Sequence, residues 1–241
     1  MESLETEVRG LAKLIRDQAD FPLIAILPHN NDEYARAAQE GGASAMIIGI
    51  DKTETAFPGL FGSFELQEDS INAILSSSSI PVGISVGDSR PLTAEGWERI
   101  VSKPFAFVNM YAHHMPPFVL KDERVEKLVS VGAGYMLEQV KSISEMEEVS
   151  AIEAALVSAQ GKNHVFSVLD ISTLRMIARL SSKPVMLRAQ KRLESRDVLT
   201  LSREGLRGLT IDPSALEPGV EAYRDAISTF GSRATDSVDT T

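Results

Sequence analysis

Short continuous apolar runs recur along the chain, and a segment with helical spacing follows nearly every one. A run that is apolar throughout, rather than alternating with polar residues, suits a strand buried on both faces of a parallel sheet. The expected strands are Phe21–Leu27, Ser44–Ile50, Ile80–Val86, Phe105–Tyr111, Gly134–Gln139, Val165–Leu169, Pro184–Leu187 and Leu206–Ile211. A leading amphipathic helix is expected over Leu4–Gln18, with Leu4, Val8, Leu11, Leu14 and Ile15 at helical spacing. Asn31 is placed to cap the next helix, which stops at Gly41-Gly42. Further helices are expected over Glu65–Leu75, from Thr93 to Ser102, over Glu123–Val129, from Ser144 to Ala159, and over Ser172–Leu180, Ser195–Arg203 and Gly219–Phe230. Ser144 and Glu147 have the spacing of a capping box. Eight strands, each with a following helix, predict a single (β/α)8 TIM barrel over residues 1–231 with an extra N-terminal helix. Ser232–Thr241 is polar and lacks apolar anchors, so a disordered tail is expected there. A doubly wound open sheet is the alternative, and strand count and spacing favour the barrel. A barrel places its site at the carboxyl ends of the strands.

The length of 241 residues fits one such barrel, and no composition break divides the chain. A net charge of −10 argues against nucleic acid as a partner, because phosphates need Lys and Arg. It leaves a small anion open, since a local basic pocket can sit on an acidic protein. The absence of cysteine removes disulfides, thiolate catalysis and Cys-ligated zinc. The start, Met1-Glu2-Ser3-Leu4-Glu5, is acidic where a secretory signal is basic, and no apolar run reaches membrane-spanning length. The expected location is the cytoplasm, with no membrane partner. No GxGxxG or Walker pattern is present, so no nucleotide cofactor is expected, and a divalent metal remains as an alternative.

Three stretches carry a likeness to a known family: Ala38-Gln-Glu-Gly-Gly-Ala-Ser-Ala-Met-Ile-Ile-Gly-Ile-Asp51, Gly62-Ser63-Phe64-Glu65-Leu66, and Gly134-Tyr-Met-Leu-Glu138-Gln-Val-Lys-Ser-Ile-Ser-Glu-Met-Glu-Glu148. They resemble, in turn, the second α/β step, the Gly-Ser-x-Glu start of the second helix, and the fifth strand with its helix in the ribulose-phosphate-binding barrels. Indole-3-glycerol-phosphate synthase is the most similar member. The resemblance implies a barrel acting on a phosphorylated metabolite, with Glu138 matching an acid/base residue. Two positions depart from the pattern. Strand one there ends in Glu-x-Lys, where Ile26 and Pro28 stand here, and strand three carries a Lys where Ser85 or a neighbour stands. The ring-closing chemistry needs those lysines, so that activity is not expected. Such barrels hold phosphate on Gly-rich loops after strands seven and eight. Here those loops read Arg188-Ala-Gln-Lys191-Arg192 and Asp212-Pro-Ser-Ala215. Arg188, Lys191 and Ser214 would then bind the anion with side chains in place of backbone amides.

Candidate chemistry lies in polar groups just past the strand ends. Glu138 is expected in an apolar strand, where burial raises a carboxyl pKa and suits a general acid/base. An ion pair with Arg188 is the structural alternative. His113 and His114 follow strand four, with Asn109 and Tyr111 before them. His113 or Asn109 is placed to polarise a substrate oxygen, although a surface loop is the plainer reading of either histidine. His29, beside Asn30 and Asn31, either contacts substrate or orders its loop. His164 is read as structural. Lys52 and Arg90 lie near the mouth, where solvated charge is the common role. Asp51, Asp88, Asp170 and Asp212 also come at strand ends. Asp51, Asp170 or Asp212 with a histidine could hold a divalent cation, whereas helix capping and turns are the plainer roles. The expected function is a cytoplasmic isomerase, epimerase or lyase that acts on a small phosphorylated or carboxylated metabolite by acid/base chemistry. A divalent-metal-dependent lyase or hydrolase is one alternative, and a non-catalytic barrel with a binding or assembly role is the other. Barrels often self-associate, so a homodimer is an expected partner state, with Met115–Leu120 as a contact or lid.

Overall fold

The computed structural model describes residues 10–17, 21–52, 61–156 and 166–236. Its strands are β1 (Leu23–Ile26), β2 (Ala45–Ile50), β3 (Val82–Val86), β4 (Phe107–Tyr111), β5 (Glu126–Gly132), β6 (Ala151–Ala155), β7 (Val185–Ala189) and β8 (Leu209–Ile211). They form a closed parallel barrel in sequence order. The ring closes where Ala25 of β1 pairs with Met46 on one side and Ile211 on the other. Helix α1 (Leu11–Asp17) precedes the barrel. Helices α2 (Asp32–Glu40), α3 (Phe64–Ser77), α4 (Ala94–Val101), α5 (Pro117–Leu120), α6 (Leu137–Ser144), α7 (Val168–Leu180), α8 (Ser195–Arg203) and α9 (Val220–Asp236) follow the strands. Among the described residues, no helix is long and apolar enough to cross a membrane.

Side chains alternate across each strand, so the barrel has two cores. Outward residues such as Met46, Ile48, Val108 and Ile152 pack under the helices with Trp97, Ile71 and Tyr223. Inward residues Ile24, Ile47, Phe107, Leu128 and Met186 form the second core, and Leu11, Leu14 and Ile15 of α1 join it. The amide of Ala12 donates to the Glu126 carboxylate at the amino end of β5, at 2.6 Å. Helix α1 therefore stoppers the amino-terminal end of the barrel. Phe107 fills the space beside Gly83, where an added Cβ would lie 2.3 Å from its ring.

Six expected strands coincide with β1–β4, β7 and β8 apart from their ends. Asn31, Ser63 and Thr93 cap α2, α3 and α4 through side-chain oxygens. Two expected strands are corrected. Gly134–Gln139 is the turn after β5 and the first turn of α6, and residues Val168–Leu169 of the other open α7. The true strands come earlier. Part of the helix expected at Glu123–Val129 is β5, and the helix expected from Ser144 gives way to β6. Ala151-Ile-Glu-Ala-Ala155 consists largely of good helix formers, yet it is held between β5 and β7 by parallel ladders, and that tertiary pairing overrides local preference. Ser144 closes α6 and accepts from the Ser182 amide at 3.1 Å, so the supposed capping box is not formed there. Leu4, Val8, His164 and Val165 lie outside the described residues. Helix α9 continues to Asp236, and the rest of the expected tail is outside them too.

Candidate active site

The inward positions turn polar toward the carboxyl ends of the strands. Asn109, Ser130, Glu153, Arg188 and Thr210 are all buried there. Glu153 of β6 sits at the centre with no exposed surface. Its Oε2 accepts from the Ser130 hydroxyl at 2.6 Å and from Nδ2 of Asn109 at 3.0 Å. Arg188 Nη1 lies 3.8 Å from the same oxygen. The other oxygen, Oε1, has no hydrogen-bond partner among the described residues. Buried carboxylates ordinarily satisfy both oxygens; here Oε1, with Arg188 Nε and Thr210 Oγ1, is a buried polar atom without a hydrogen bond among the described residues.

Arg188 bridges two carboxylates, with its Nε 3.4 Å from Asp212 Oδ2. Burial opposes its charge, but Glu153, Asp212 and the Tyr111 hydroxyl outweigh burial and raise its pKa, so the guanidinium stays protonated. Asp212 also accepts from the Ser214 amide at 2.9 Å, capping a short 3-10 turn over Pro213–Ala215. Burial raises the Tyr111 phenol pKa against the pull of Arg188, leaving a neutral hydroxyl at the rim.

Lys52 comes over the mouth from the other side. Asp51 has a left-handed backbone, φ 51°, which turns the chain directly after β2. Arg90 Nε donates to the Asp51 carboxylate at 2.9 Å and holds that turn. An added Cβ on Gly49 would lie 3.1 Å from Lys52 Cε and 2.9 Å from the Phe61 ring, so glycine here leaves room for both side chains. Lys52 Nζ lies 5.6 Å from the centre of the Phe61 ring. It has no hydrogen bond or ion pair with the described residues. Lys52 keeps part of its surface, yet burial lowers its pKa to about 7, assisted by Arg188 and partly offset by Asp212 and Glu153. An amine in that range is available at neutral pH as a base or nucleophile.

The expected site residues are only partly brought together. Asn109 and Arg188 are in the cluster. Glu138 is exposed in the first turn of α6, outside the strand ring, and Glu153 fills the buried-carboxylate position expected of it. His113 is exposed and bonds the Tyr135 hydroxyl, while His114 lies 3.9 Å from Asp88. His29 stacks on Tyr34, with ring centroids 5.4 Å apart. Lys191 turns to Asp170 at 2.7 Å, and Asp170 caps α7 with Ser167. Arg188 and Lys191 line one small cavity with Asp170, and Ser214 is not in its lining. Asp51, Asp170 and Asp212 each face their own cation, Arg90, Lys191 and Arg188. Among the described residues, no group of three His, Asp or Glu is placed to hold a metal ion. A groove of about 240 Å³ lies between the loops after β7 and β8 and α9, lined by Lys191, Arg192, Leu216, Glu217 and Phe230.

Solved structures share this architecture. The tryptophan synthase alpha-subunit from the hyperthermophile Pyrococcus furiosus matches with a TM-score of 0.61 at 16% identity, over 91% of this chain and 98% of that one. A structure bearing on mutual activation of the tryptophan synthase α2β2 complex from the same organism gives 0.60 at 16% identity, with the same coverage of 91% and 98%. At this identity the likeness is one of fold. No protein-family model and no curated protein sequence matches the chain.

Proposed function

We propose that the chain is an enzyme that acts on a small anionic metabolite, phosphorylated or carboxylated, by proton transfer of the isomerase, epimerase or lyase kind. The observation that carries this reading is the unpartnered Oε1 of buried Glu153, in the polar layer of the barrel interior, with a guanidinium 3.8 Å from its other oxygen. Ser130 and Asn109 hold Oε2 and so aim Oε1 at the substrate. Asn109 is then a positioning residue for Glu153. Arg188 supplies a positive field for the substrate anion and for charge that develops on its oxygen. Tyr111 and Lys52 line the approach. The Lys191–Arg192 groove offers a second basic wall for a phosphate or carboxylate. A cytoplasmic location accompanies this reading. The fold likeness to a synthase subunit that works in a complex supports an enzymatic role and makes a partner subunit worth seeking alongside a homodimer.

A thermal-shift screen against phosphate esters, sugar acids and divalent cations tests the reading, because a ligand of the folded state raises the melting temperature. Stabilisation by an anion, reduced in Arg188→Lys, is the expected result. Stabilisation by a divalent cation alone would favour metal-dependent chemistry. A flat response to every compound would favour a binding or assembly role.

A further inference from the structure

Lys52 is a buried-side cation that the acid/base reading leaves unused. Its stem lies in the space that Gly49 provides, and its amine faces the Phe61 ring at 5.6 Å. It makes no ion pair with the described residues, although it stands within electrostatic reach of Glu153 and Asp212. A lysine kept for structure or solubility would reach a carboxylate or water, as Lys191 reaches Asp170. The structure instead holds an amine with no ion pair to the described residues within electrostatic reach of a carboxylate that has an unpartnered oxygen. That is the pair of groups needed to condense an amine with a carbonyl: a nucleophile and a proton carrier.

We propose that Lys52 forms an imine with the carbonyl carbon of an anionic aldehyde or ketone, and that Glu153 carries the protons of that condensation. This rests on the reading of the mouth as an anion-metabolite site. The neutral amine forms the N–C bond while the carbonyl π pair moves to oxygen. Glu153 relays a proton from nitrogen to that oxygen, giving a carbinolamine. The nitrogen lone pair then forms the C=N bond, the C–O bond breaks, and the oxygen leaves as water with a proton that the Glu153 carboxylate has taken up from solvent water. The product is an iminium cation facing the Glu153 and Asp212 carboxylates. The iminium withdraws electrons from the neighbouring carbon, which makes proton removal or C–C cleavage there accessible to Glu153 as base. The lowered affinity of Lys52 for protons agrees with the role, since only the free amine attacks.

The test uses the whole protein and pyridoxal 5′-phosphate, an aldehyde with a phosphate group, followed by borohydride reduction and peptide mapping. A lysine of ordinary pKa is almost wholly protonated at pH 7, so the reduced adduct should appear on Lys52 at least about tenfold ahead of any other lysine. Its rate should rise through pH about 7. Glu153→Gln should slow adduct formation at Lys52 without changing labelling elsewhere. The site of the adduct is read in the wild-type protein, so the result does not depend on a Lys52 variant folding. Labelling of Lys52 no faster than that of surface lysines overturns the proposal. An anion-induced thermal shift together with unselective labelling would leave the acid/base reading standing and remove the imine. Selective labelling with no thermal shift from any anion would retain the nucleophile and remove the substrate class.

Discussion

Arg188 and Glu153 face each other inside the barrel, but their removal should have very different costs. Arg188 lies 3.8 Å from Glu153 and 3.4 Å from Asp212. Arg188→Met takes the cation away from the buried Glu153 carboxylate and the half-buried Asp212 carboxylate. Removing one partner of a buried pair costs about 3–5 kcal/mol, and a loss in that range is expected at pH 7.5. Glu153→Gln is milder. The carboxylate gains little from a 3.8 Å contact and bears the burial of an unpartnered oxygen. Glutamine keeps an oxygen for Ser130 and Asn109, and Arg188 keeps Asp212 and Tyr111. A change within about 1 kcal/mol of wild type is expected for this variant. Urea unfolding, followed by circular dichroism and by the single tryptophan, compares midpoints at matched slopes. On the proposed chemistry, Glu153→Gln also lowers turnover by about 10²- to 10⁴-fold. A Glu153→Gln loss equal to that of Arg188→Met would refute the view that Oε1 is held for chemistry rather than stability.

Lys52 binds its proton less tightly folded, at about 7, than its ordinary 10.5, so its charge opposes folding fully below pH 7, and that opposition fades as pH rises toward 10.5. Lys52→Met should therefore raise the melting temperature more at pH 6 than at pH 10; an equal gain at both would show that the amine is not desolvated. The Arg124 side chain, followed by the Arg124 amide and Trp97 indole, holds the Asp122 pKa well below the usual carboxylate range against the effect of burial. Asp122→Asn should cost about 1–3 kcal/mol at pH 7. That gap should narrow as pH falls below 3.8, read by Trp97 fluorescence during unfolding. Gly83→Ala should cost about 1–3 kcal/mol in the same assay by crowding Phe107.

The strands that could be read from the sequence are those whose apolar runs end in clear turn or capping residues: β1 into Asn31, β2 into Asp51 and β3 toward Thr93. The misread stretch is one where charge sits inside the wall. Lys127 is buried in β5, Glu153 is buried in β6, and both looked like the polar face of a helix. Tyr135, Met136 and Leu137 looked like a strand but lie in the turn and start of α6, with Met136 exposed. The same displacement put the expected buried carboxylate at Glu138, which is exposed in α6, where the buried one is Glu153. A buried carboxylate at a functional site contradicts the local pattern because its reason lies in residues distant in sequence: Asn109, Ser130 and Arg188. Asn109 and Arg188 were legible because each interrupts an otherwise apolar strand near its carboxyl end. Lys52 was visible as a basic residue past β2, but its setting depends on Gly49 and Phe61 folding beside it.

Helix α1, wedged into the amino end of the barrel, closes that end of the interior. On the proposed chemistry, substrate, product, solvent and protons then come and go at the carboxyl end. Once a substrate fills that opening, a proton taken up by Glu153 has no second exit and little contact with bulk water. It is then most readily handed back to the molecule it came from. An isomerase built this way should carry hydrogen isotope from one carbon of its substrate to another with little exchange into solvent. Cutting away α1 would turn the cup into a tube and let the label wash out.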